Sequence, residues 1–221
     1  MTPTLLGQKL GMTRIVDQNG VVHPATVIKA GPCVVLQVKN QAQDGYHALQ
    51  IGFGDVKPHR STRPLIGHAA KAGTGPKRHI HEIRLCEPAA KNAGDVLTVE
   101  LFSEAKVKFV DVSGVTKGRG TTGVMRRYGF GGQPASHGTE RKHRSPGSIG
   151  GGAPRGHGRA IKKGKRMGGH HGHSRRTIQN QRLLGVILED NLLLVRGGVP
   201  GPEGTLVMVR QAKKRTETTD Q

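Results

Sequence analysis

Short runs rich in apolar residues, separated by polar turns, dominate the first part of the chain. LLGQKLGMTRIV and VVHPATVIKA flank the polar turn Asp17-Gln18-Asn19-Gly20. Two such runs joined by an Asn-Gly turn are typical of a β-hairpin. CVVLQVKN and YHALQIGF flank a second polar turn around Asp44-Gly45 and predict a second hairpin. The N-terminal part of the chain is therefore predicted to be rich in antiparallel strands.

Further strands are predicted in the middle and at the end of the chain. LTVELF (97–102) and VKFVDVSGV (107–115) are two candidates. LLGVILEDNLLLVRG (183–197) is apolar on both sides of an acidic turn and predicts a hairpin, and TLVMVRQA (205–212) predicts a last strand. Many short strands separated by Gly, Pro and Asn are typical of a closed barrel or a sandwich.

Residues 56–94 do not follow this strand pattern. They contain PLIGHAAKAG and RHIHEIRL, each of which predicts a short helix. We therefore expect a mainly β protein with a small α+β insertion over residues 56–94. The β-barrel-like body would be split in sequence into residues 1–112 and 183–212.

Residues 113–182, called the basic extension here, have almost no helical or strand periodicity. They hold 16 Lys and Arg against one Asp or Glu, and 18 of the 34 glycines of the chain. Such a segment cannot bury enough apolar surface to offset the entropy lost on ordering. We expect a long, irregular Gly/Arg/Lys-rich excursion that a partner orders. Residues 213–221 are predicted to form a polar C-terminal tail.

The charge of the chain indicates what that partner is. The formal net charge is +20, with a sequence pI near 10.8. A surface this basic repels itself when free, and nucleic acid is the commonest polyanion that neutralises one. An anionic membrane is the alternative, but no stretch approaches the ~20 apolar residues of a spanning helix. The N-terminus also lacks the features of a signal peptide, so we expect a cytoplasmic protein without a membrane partner.

The two cysteines and the few aromatic residues exclude other classes. Cys33 and Cys86 have no metal-ligand spacing and are predicted to be small buried hydrophobic residues without a disulfide. Aromatic residues make up 3% of the chain, which argues against RNA readers that stack bases on an aromatic sheet surface.

The cations of the basic extension are separated by Gly, Ser, Thr and Pro. Glycine lets backbone N–H groups approach phosphates, because no Cβ stands in the way. Arginine offers a planar fork to phosphate oxygens, lysine a point charge, and short hydroxyl side chains reach the ribose 2′-OH. The side chains predicted to bind RNA are Lys117, Arg119, Arg126, Arg127, Arg141, Lys142, Arg144, Arg155, Arg159, Lys162, Lys163, Lys165, Arg166, Arg175 and Arg176.

Six segments spread over residues 5–202 resemble one known family. They are LLGQKLGMTRI, DVSGVTKGRG, GVMRRYGFGGQPASHGT, HRSPGSIG, KGKRMGGHHG and LLLVRGGVPGP. In this order they are similar to the bacterial and organellar form of the universal L-three family of large-subunit ribosomal proteins. The resemblance implies a closed, six-stranded, translation-factor-like β-barrel with an α+β insertion and a long loop. It further implies a non-enzymatic protein without a cofactor, which binds large-subunit ribosomal RNA near its 3′ end during early assembly.

The resemblance also assigns roles to the tip of the extension. It implies that Gly131, Gly132 and Gln133 approach the peptidyl-transferase centre and help to shape it. Some bacterial members carry an N-methylated glutamine at the position of Gln133. The resemblance therefore implies that a glutamine methyltransferase can modify Gln133. The implied protein neighbours are the L-fourteen and L-nineteen families. Two departures, Gly168 in place of a frequent Ala and the His-rich HHGH that follows, affect only fine contacts.

Three motifs allow an alternative, more specific interpretation. Gly131-Gly132-Gln133 spells the tripeptide that class-one release factors use to orient a hydrolytic water, which would make the chain a hydrolase. No acid–base set accompanies it, so a tight turn presenting an amide to RNA is favoured. Residues 118–123 fit GxGxxG, but they do not open a helix after a Rossmann strand.

His170, His171 and His173, together with His157, form the third motif, a candidate transition-metal site. Without paired cysteines we expect no metal, but RNA contacts or imidazoles partly protonated near phosphate. A last alternative for the whole chain is a non-specific nucleic-acid compaction protein, which would not need a split barrel.

Overall fold

The computed structural model describes residues 2–150 and 161–215, and it is mainly β. The four α-helices are short: α1 (Gln41–Asp44), α2 (Arg63–Ala70), α3 (Glu100–Glu104) and α4 (Val124–Tyr128). A 3₁₀ turn covers Pro58–Arg60. The strands are β1 (Thr4–Val16), β2 (Val22–Ala30), β3 (Cys33–Lys39), β4 (Ala48–Asp55), β5 (Lys77–Arg84), β6 (Val96–Leu97), β7 (Phe109–Val115), β8 (Thr121–Thr122), β9 (Gly169–His170), β10 (Arg175–Ile187), β11 (Leu192–Arg196) and β12 (Leu206–Gln211).

Six of these strands are hydrogen-bonded edge to edge in a closed antiparallel ring. Their order is β1-β12-β7-β10-β11-β2. Apolar residues alternate along β11 and β12, so that Leu193, Val195, Val207 and Val209 are buried inside. This alternation follows from the two-residue period of a strand.

Four strand predictions are confirmed for individual elements. β1 and β2 form a hairpin whose register runs to Val16↔Val22 across the predicted turn. β10 and β11 form another, from Leu183↔Val195 to Ile187↔Leu192. TLVMVRQA contains β12, and VKFVDVSGV contains β7. The prediction of a mainly β chain is therefore confirmed.

The second predicted hairpin exists, but it belongs to a separate sheet. β3 and β4 pair with each other in a four-stranded sheet of order β5-β4-β3-β6. This sheet begins at Cys33, earlier than residue 56, where the α+β insertion was predicted to begin. Its inner face joins the core of the ring, because Val35, Leu49 and Ile51 lie in the same buried cluster as Leu5 and Val112.

One helix prediction is wrong, and one strand prediction is wrong for most of its length. RHIHEIRL is not a helix, because β5 pairs with β4 along its length from Ala48↔Arg84 to Asp55↔Lys77. The open edge of β4 supplies hydrogen bonds that override the local helical spacing of Ile80 and Ile83. LTVELF is a strand only at β6, after which α3 buries Phe102 in the core. PLIGHAAKAG does contain a helix, α2.

The two cysteines differ in their environments. Cys33 is fully buried, and its thiol donates to the Leu6 carbonyl oxygen at 3.4 Å. Burial raises the pKa of this thiol to about 11. Cys86 is exposed, so the prediction that both cysteines are buried is wrong for it. Cys86 lies two residues after the end of β5 at Arg84.

The chain divides into two compact units. One contains residues 1–115 and 175–221, and the other is Thr116–Ser174. β7 ends at Val115 and β10 begins at Arg175, so both strands of the ring extend into the range 113–182 that was predicted for the basic extension. Residues 113–115 and 175–182 are therefore strand residues, with Arg175↔Val115 and Arg176↔Gly114 as paired positions. None of the helices in the described ranges is long and apolar enough to cross a membrane.

Candidate nucleic-acid interface

Thirteen of the fifteen cations predicted to bind RNA fall within the described residues, and twelve of them are exposed. Arg127 is half-buried, whereas Arg155 and Arg159 lie outside the described residues. Arg175 and Arg176 begin β10 and belong to the first unit. The other eleven lie in the Thr116–Ser174 unit. The sequence pattern thus predicts accessible charge, but two of these cations lie on a strand of the ring.

The Thr116–Ser174 unit begins and ends as two chain segments that run side by side. Thr116 N–H donates to the Ser174 carbonyl at 3.0 Å and Arg119 N–H to that of His171 at 2.8 Å. The His171 N–H in turn donates to the Gly120 carbonyl at 2.9 Å. β8 and β9 continue this pairing. Cations of both segments therefore lie along one short ladder of backbone hydrogen bonds. The sequence pattern did not predict this pairing.

Gly172 allows these two segments to approach each other. Its φ is 77°, and a Cβ added there would collide with the backbone of Lys117 and lie 3.1 Å from the Cα of Gly118. A side chain at this position would have to separate two backbones that are hydrogen-bonded. Only glycine suits both the left-handed conformation and this spacing.

We expect Gly172→Ala to weaken this ladder by about 1–3 kcal/mol, because it adds backbone strain and a steric clash. Hydrogen exchange at the Arg119 and His171 amides measures the effect, and both should exchange faster. Gly118→Ala is the matched control, because its Cβ would meet only the His173 Cβ at an ordinary 3.5 Å. Equal protection of the two amides in both variants would contradict the proposed role of Gly172.

Arg127 differs from the other cations because the protein already holds its guanidinium. The Arg127 Nη1 donates to the Met167 carbonyl oxygen at 2.9 Å. Its guanidinium lies 5.1 Å from the ring centroid of Tyr128, and that of Arg166 lies 5.6 Å from the same ring. Tyr128 therefore contacts two arginines on different segments, and cation–π attraction stabilises this arrangement. Sequence reasoning missed Tyr128, although an aromatic residue directly after two arginines was a usable signal.

Residues 131–133, the predicted tip of the basic extension, contain a tight turn. Gly132 has a φ of 74°, and Gln133 N–H donates to the His143 carbonyl oxygen at 2.9 Å. The ring of His143 is in turn 2.9 Å from the Pro134 carbonyl through Nδ1. Gly131 and Gln133 are both exposed. This geometry favours the turn interpretation of Gly131-Gly132-Gln133 over the hydrolase interpretation.

A cavity of about 660 Å³ adjoins this turn. Gln133, Glu140, Arg141, Lys142 and Ser145 are among the residues that line it. Glu140 is the acidic residue of the basic extension, and two cations share the cavity with it. The charged side chains of the lining therefore carry a net positive charge, which suits contact with RNA phosphates.

The cations of the interface have no acidic partners within the described part of the chain. The four ion pairs there are His23–Asp17, Lys39–Glu82, Lys77–Asp55 and Arg210–Asp111.

The concentration of positive charge also acts on His171. Burial lowers the pKa of His171, and Arg119, Arg127, Arg126 and His170 lower it further. Its surroundings in the protein therefore disfavour the protonated imidazole, whereas phosphates of a bound RNA would shift the pKa of His171 upward.

The histidine cluster does not form a metal site in the residues that the structure describes. No group of three or more His, Cys, Asp or Glu side chains is close enough to hold an ion there. His157, the fourth member of the predicted cluster, lies outside the described residues. The histidines that are described, His170, His171 and His173, lie on or beside β9.

Comparisons with known proteins agree with the resemblance of the six segments. A family model of ribosomal protein L3 matches residues 85–187. The large ribosomal subunit protein uL3 of Acidothermus cellulolyticus is 50% identical over 216 residues, which are 98% of this chain and 95% of that protein. The protein of the same name from Salinispora tropica is 52% identical over 210 residues, or 95% of this chain and 93% of that protein. With half of its residues shared over nearly its whole length, this chain belongs to the ribosomal protein L3 family.

Proposed function

We propose that the protein is a structural constituent of the large ribosomal subunit that binds the ribosomal RNA of that subunit. One observation carries the proposal: twelve exposed cations, of which ten lie in the Thr116–Ser174 unit, have no carboxylate partner among the described residues. Charges in this arrangement are free to contact phosphates and release counterions. The name of the relatives, large ribosomal subunit protein uL3, supports the same conclusion. As a member of the L3 family, the protein is a structural component and not an enzyme.

The finer features implied by the family belong to the same proposal. The six-stranded ring would be the translation-factor-like barrel of the family, which docks on the RNA surface. The basic extension would pass between RNA helices and neutralise their phosphates. Its tip, Gly131, Gly132 and Gln133, would approach the peptidyl-transferase centre, with Gln133 as the substrate of a glutamine methyltransferase.

The partners and place of action follow from this proposal. The binding site on the RNA would lie near the 3′ end of the large-subunit RNA, and the protein would bind early in assembly. Members of the L-fourteen and L-nineteen families would be its protein neighbours. It would act in the cytoplasm, within the ribosome.

The salt dependence of RNA binding tests the proposal. If roughly 6–10 cations contact phosphates, the affinity for large-subunit RNA should fall by ~10³–10⁵ between 50 and 200 mM salt. Filter binding at a series of salt concentrations measures this, with an unrelated duplex of equal length as the control. A scaffold should prefer its own RNA by orders of magnitude, whereas a compaction protein would bind both equally. An affinity that does not change with salt would refute the proposal.

Association with the assembled particle gives a second criterion. After a high-salt wash the protein should co-sediment with large ribosomal subunits, because an extension enclosed by RNA helices dissociates slowly. The isolated protein should also leave peptidyl-tRNA intact. Hydrolysis by the isolated protein would instead support the release-type alternative.

A further inference from the structure

The short helix α4 contacts two other parts of the Thr116–Ser174 unit. On one side, the Arg127 Nη1 donates to the Met167 carbonyl oxygen at 2.9 Å. On another, the thioether of Met125 lies against Gly132, where an added Cβ would be 3.3 Å from both Sδ and Cε of that methionine. α4 therefore connects the segment around Met167, near the end of the unit, to the turn that contains Gly132.

Two glycines allow the segment around Met167 to approach α4 closely. A Cβ added at Gly168 would lie 3.2 Å from the carbonyl oxygen of Thr122, two residues before α4. A Cβ added at Gly169 would lie 2.7 Å from the Arg127 Nη1. The backbone of this segment is thus packed against both the start of α4 and the guanidinium of its arginine.

The ring of Tyr128, the last residue of α4, contacts cations on both sides of this junction. The ring centroid lies 5.1 Å from the guanidinium carbon of Arg127 and 5.6 Å from that of Arg166. The ring of Phe130, just beyond α4, is 6.3 Å away between centroids. Tyr128 is 37% exposed, so it is not a core residue. Its listed neighbours are instead two cations of the predicted RNA-binding set and one aromatic ring.

The aromatic ring offsets the repulsion between these cations. Two guanidinium groups beside each other repel, and no carboxylate among the described residues is paired with either of them. The negative face of an aromatic ring attracts both. An aliphatic side chain of similar size would offer no such attraction. The ring therefore allows Arg127 and Arg166 to remain together in the absence of RNA.

Direct stacking on an RNA base is the other role open to a partly exposed tyrosine. The surroundings of the ring argue against it. The guanidinium groups of Arg127 and Arg166 and the ring of Phe130 already lie around Tyr128. A role within the protein is therefore favoured over a role as a stacking platform.

We propose that Tyr128 is a positioning residue for RNA binding, whose ring holds Arg127 and Arg166 together and so orders α4 and residues 166–169 before RNA is bound. This inference rests on the proposed RNA-binding function and deepens it. The RNA does not have to order this part of the basic extension, so less conformational entropy is lost on binding. Ordering by a partner, as expected from the sequence, would then concern the other residues of the extension.

Hydrogen exchange of the full chain without RNA is the first test. The Arg127 and Gly129 amides donate to backbone carbonyl oxygens four residues earlier, at 3.0 and 2.8 Å, and report on α4. Tyr128→Leu should make both exchange about 5–30-fold faster, because two cation–π contacts are lost. Tyr128→Phe keeps an aromatic face and should restore most of the protection. The amides of β12, in the other unit, are the internal control and should not change.

A salt titration of RNA binding separates positioning from phosphate contact. Tyr128→Leu should lower the affinity for large-subunit RNA by about 3–30-fold, because the binding-competent conformation is less populated. The slope of log affinity against log salt should stay at the wild-type value, since the cations still reach their phosphates in the complex. Arg126→Gln, on the same helix, is the matched control. Its slope should fall by about 0.7–0.9, with the protection of α4 retained.

The outcomes separate this inference from the proposed function. Unchanged protection of α4 in Tyr128→Leu overturns the inference, and a loss of affinity without a loss of protection would point to direct stacking on RNA. Faster exchange with unchanged affinity, or a lower salt slope, overturns it as well. So do equal losses in Tyr128→Phe and Tyr128→Leu, which would assign the effect to the hydroxyl group. In all these cases steep salt dependence of wild-type binding leaves the proposed function intact, whereas its absence ends both proposals.

Discussion

Replacing four exposed cations of the Thr116–Ser174 unit by glutamine is expected to lower the affinity for large-subunit RNA by about 10³-fold at 0.1 M salt. The estimate assumes ~0.7–0.9 units of salt slope per lost phosphate contact and equal affinities near 1 M salt. The slope itself should fall by about 2.8–3.6. The four substitutions, measured together by filter binding, are Arg119→Gln, Arg126→Gln, Arg144→Gln and Lys165→Gln.

The control for this prediction removes the same charge from the other unit. Lys57, Arg60, Arg63 and Lys71 are exposed and lie around the 3₁₀ turn and α2, outside the Thr116–Ser174 unit. Their replacement by glutamine should change the slope little, because charges far from the RNA are screened within ~8 Å at physiological ionic strength. Equal losses in the two quadruple variants would mean that net charge alone, and not the position of the cations, determines binding.

Arg127 is excluded from that set for a structural reason. Its guanidinium donates to Met167 and lies beside Tyr128, so removing it would disturb the unit itself. A loss of affinity in Arg127→Gln would mix the loss of a phosphate contact with the loss of local structure. The four chosen side chains are exposed, and none of them has an ion pair among the described residues.

Asp111→Ala is expected to destabilise the protein by about 3–5 kcal/mol, the usual cost of removing one partner from a buried ion pair. Asp111 lies on β7 and is 1% exposed. Its carboxylate accepts hydrogen bonds from Arg210 Nη2 at 3.2 Å, from Asn180 N–H at 3.0 Å and from Lys213 N–H at 3.4 Å. Urea unfolding followed by circular dichroism measures the change.

The position of Asp111 explains why the effect should be large. The register of β10 against β7 shifts between Ile178 and Gln181, and Asn180 there has a φ of 58°. The Asp111 carboxylate satisfies the N–H group of this irregular residue. Without it, a part-buried donor and the charge of Arg210 would both lose their partner.

Asp55→Ala is the matched control for Asp111→Ala. Asp55 is also paired with a cation, Lys77, but its side chain is 84% exposed. The Lys77 side chain is only 11% exposed, but the carboxylate that the substitution removes lies in water. A solvated carboxylate of this kind contributes about 0–1 kcal/mol, so the free energy of unfolding should change little. Similar losses in the two variants would contradict the role assigned to burial at Asp111.

The sequence by itself determined the strands and turns whose partners are close in the chain. The hairpins β1–β2 and β10–β11 are encoded by apolar runs on either side of polar turns such as Asp17–Gly20. It also determined the positive segment, because 16 cations against one acid within 70 residues are visible without any coordinates. Local patterning and composition are properties of neighbouring residues, so no tertiary information is needed to read them.

Only the tertiary structure decided how distant segments combine. The ring closes where β1 pairs with β12, from Thr4↔Arg210 to Gln8↔Leu206. β5 is a strand because of the open edge of β4, despite its helical spacing. The structure likewise separates Arg127, whose guanidinium the protein already holds, from the exposed cations that have no ion pair among the described residues. These features depend on hydrogen bonds and burial between residues far apart in sequence, and such contacts leave no periodic pattern in the chain.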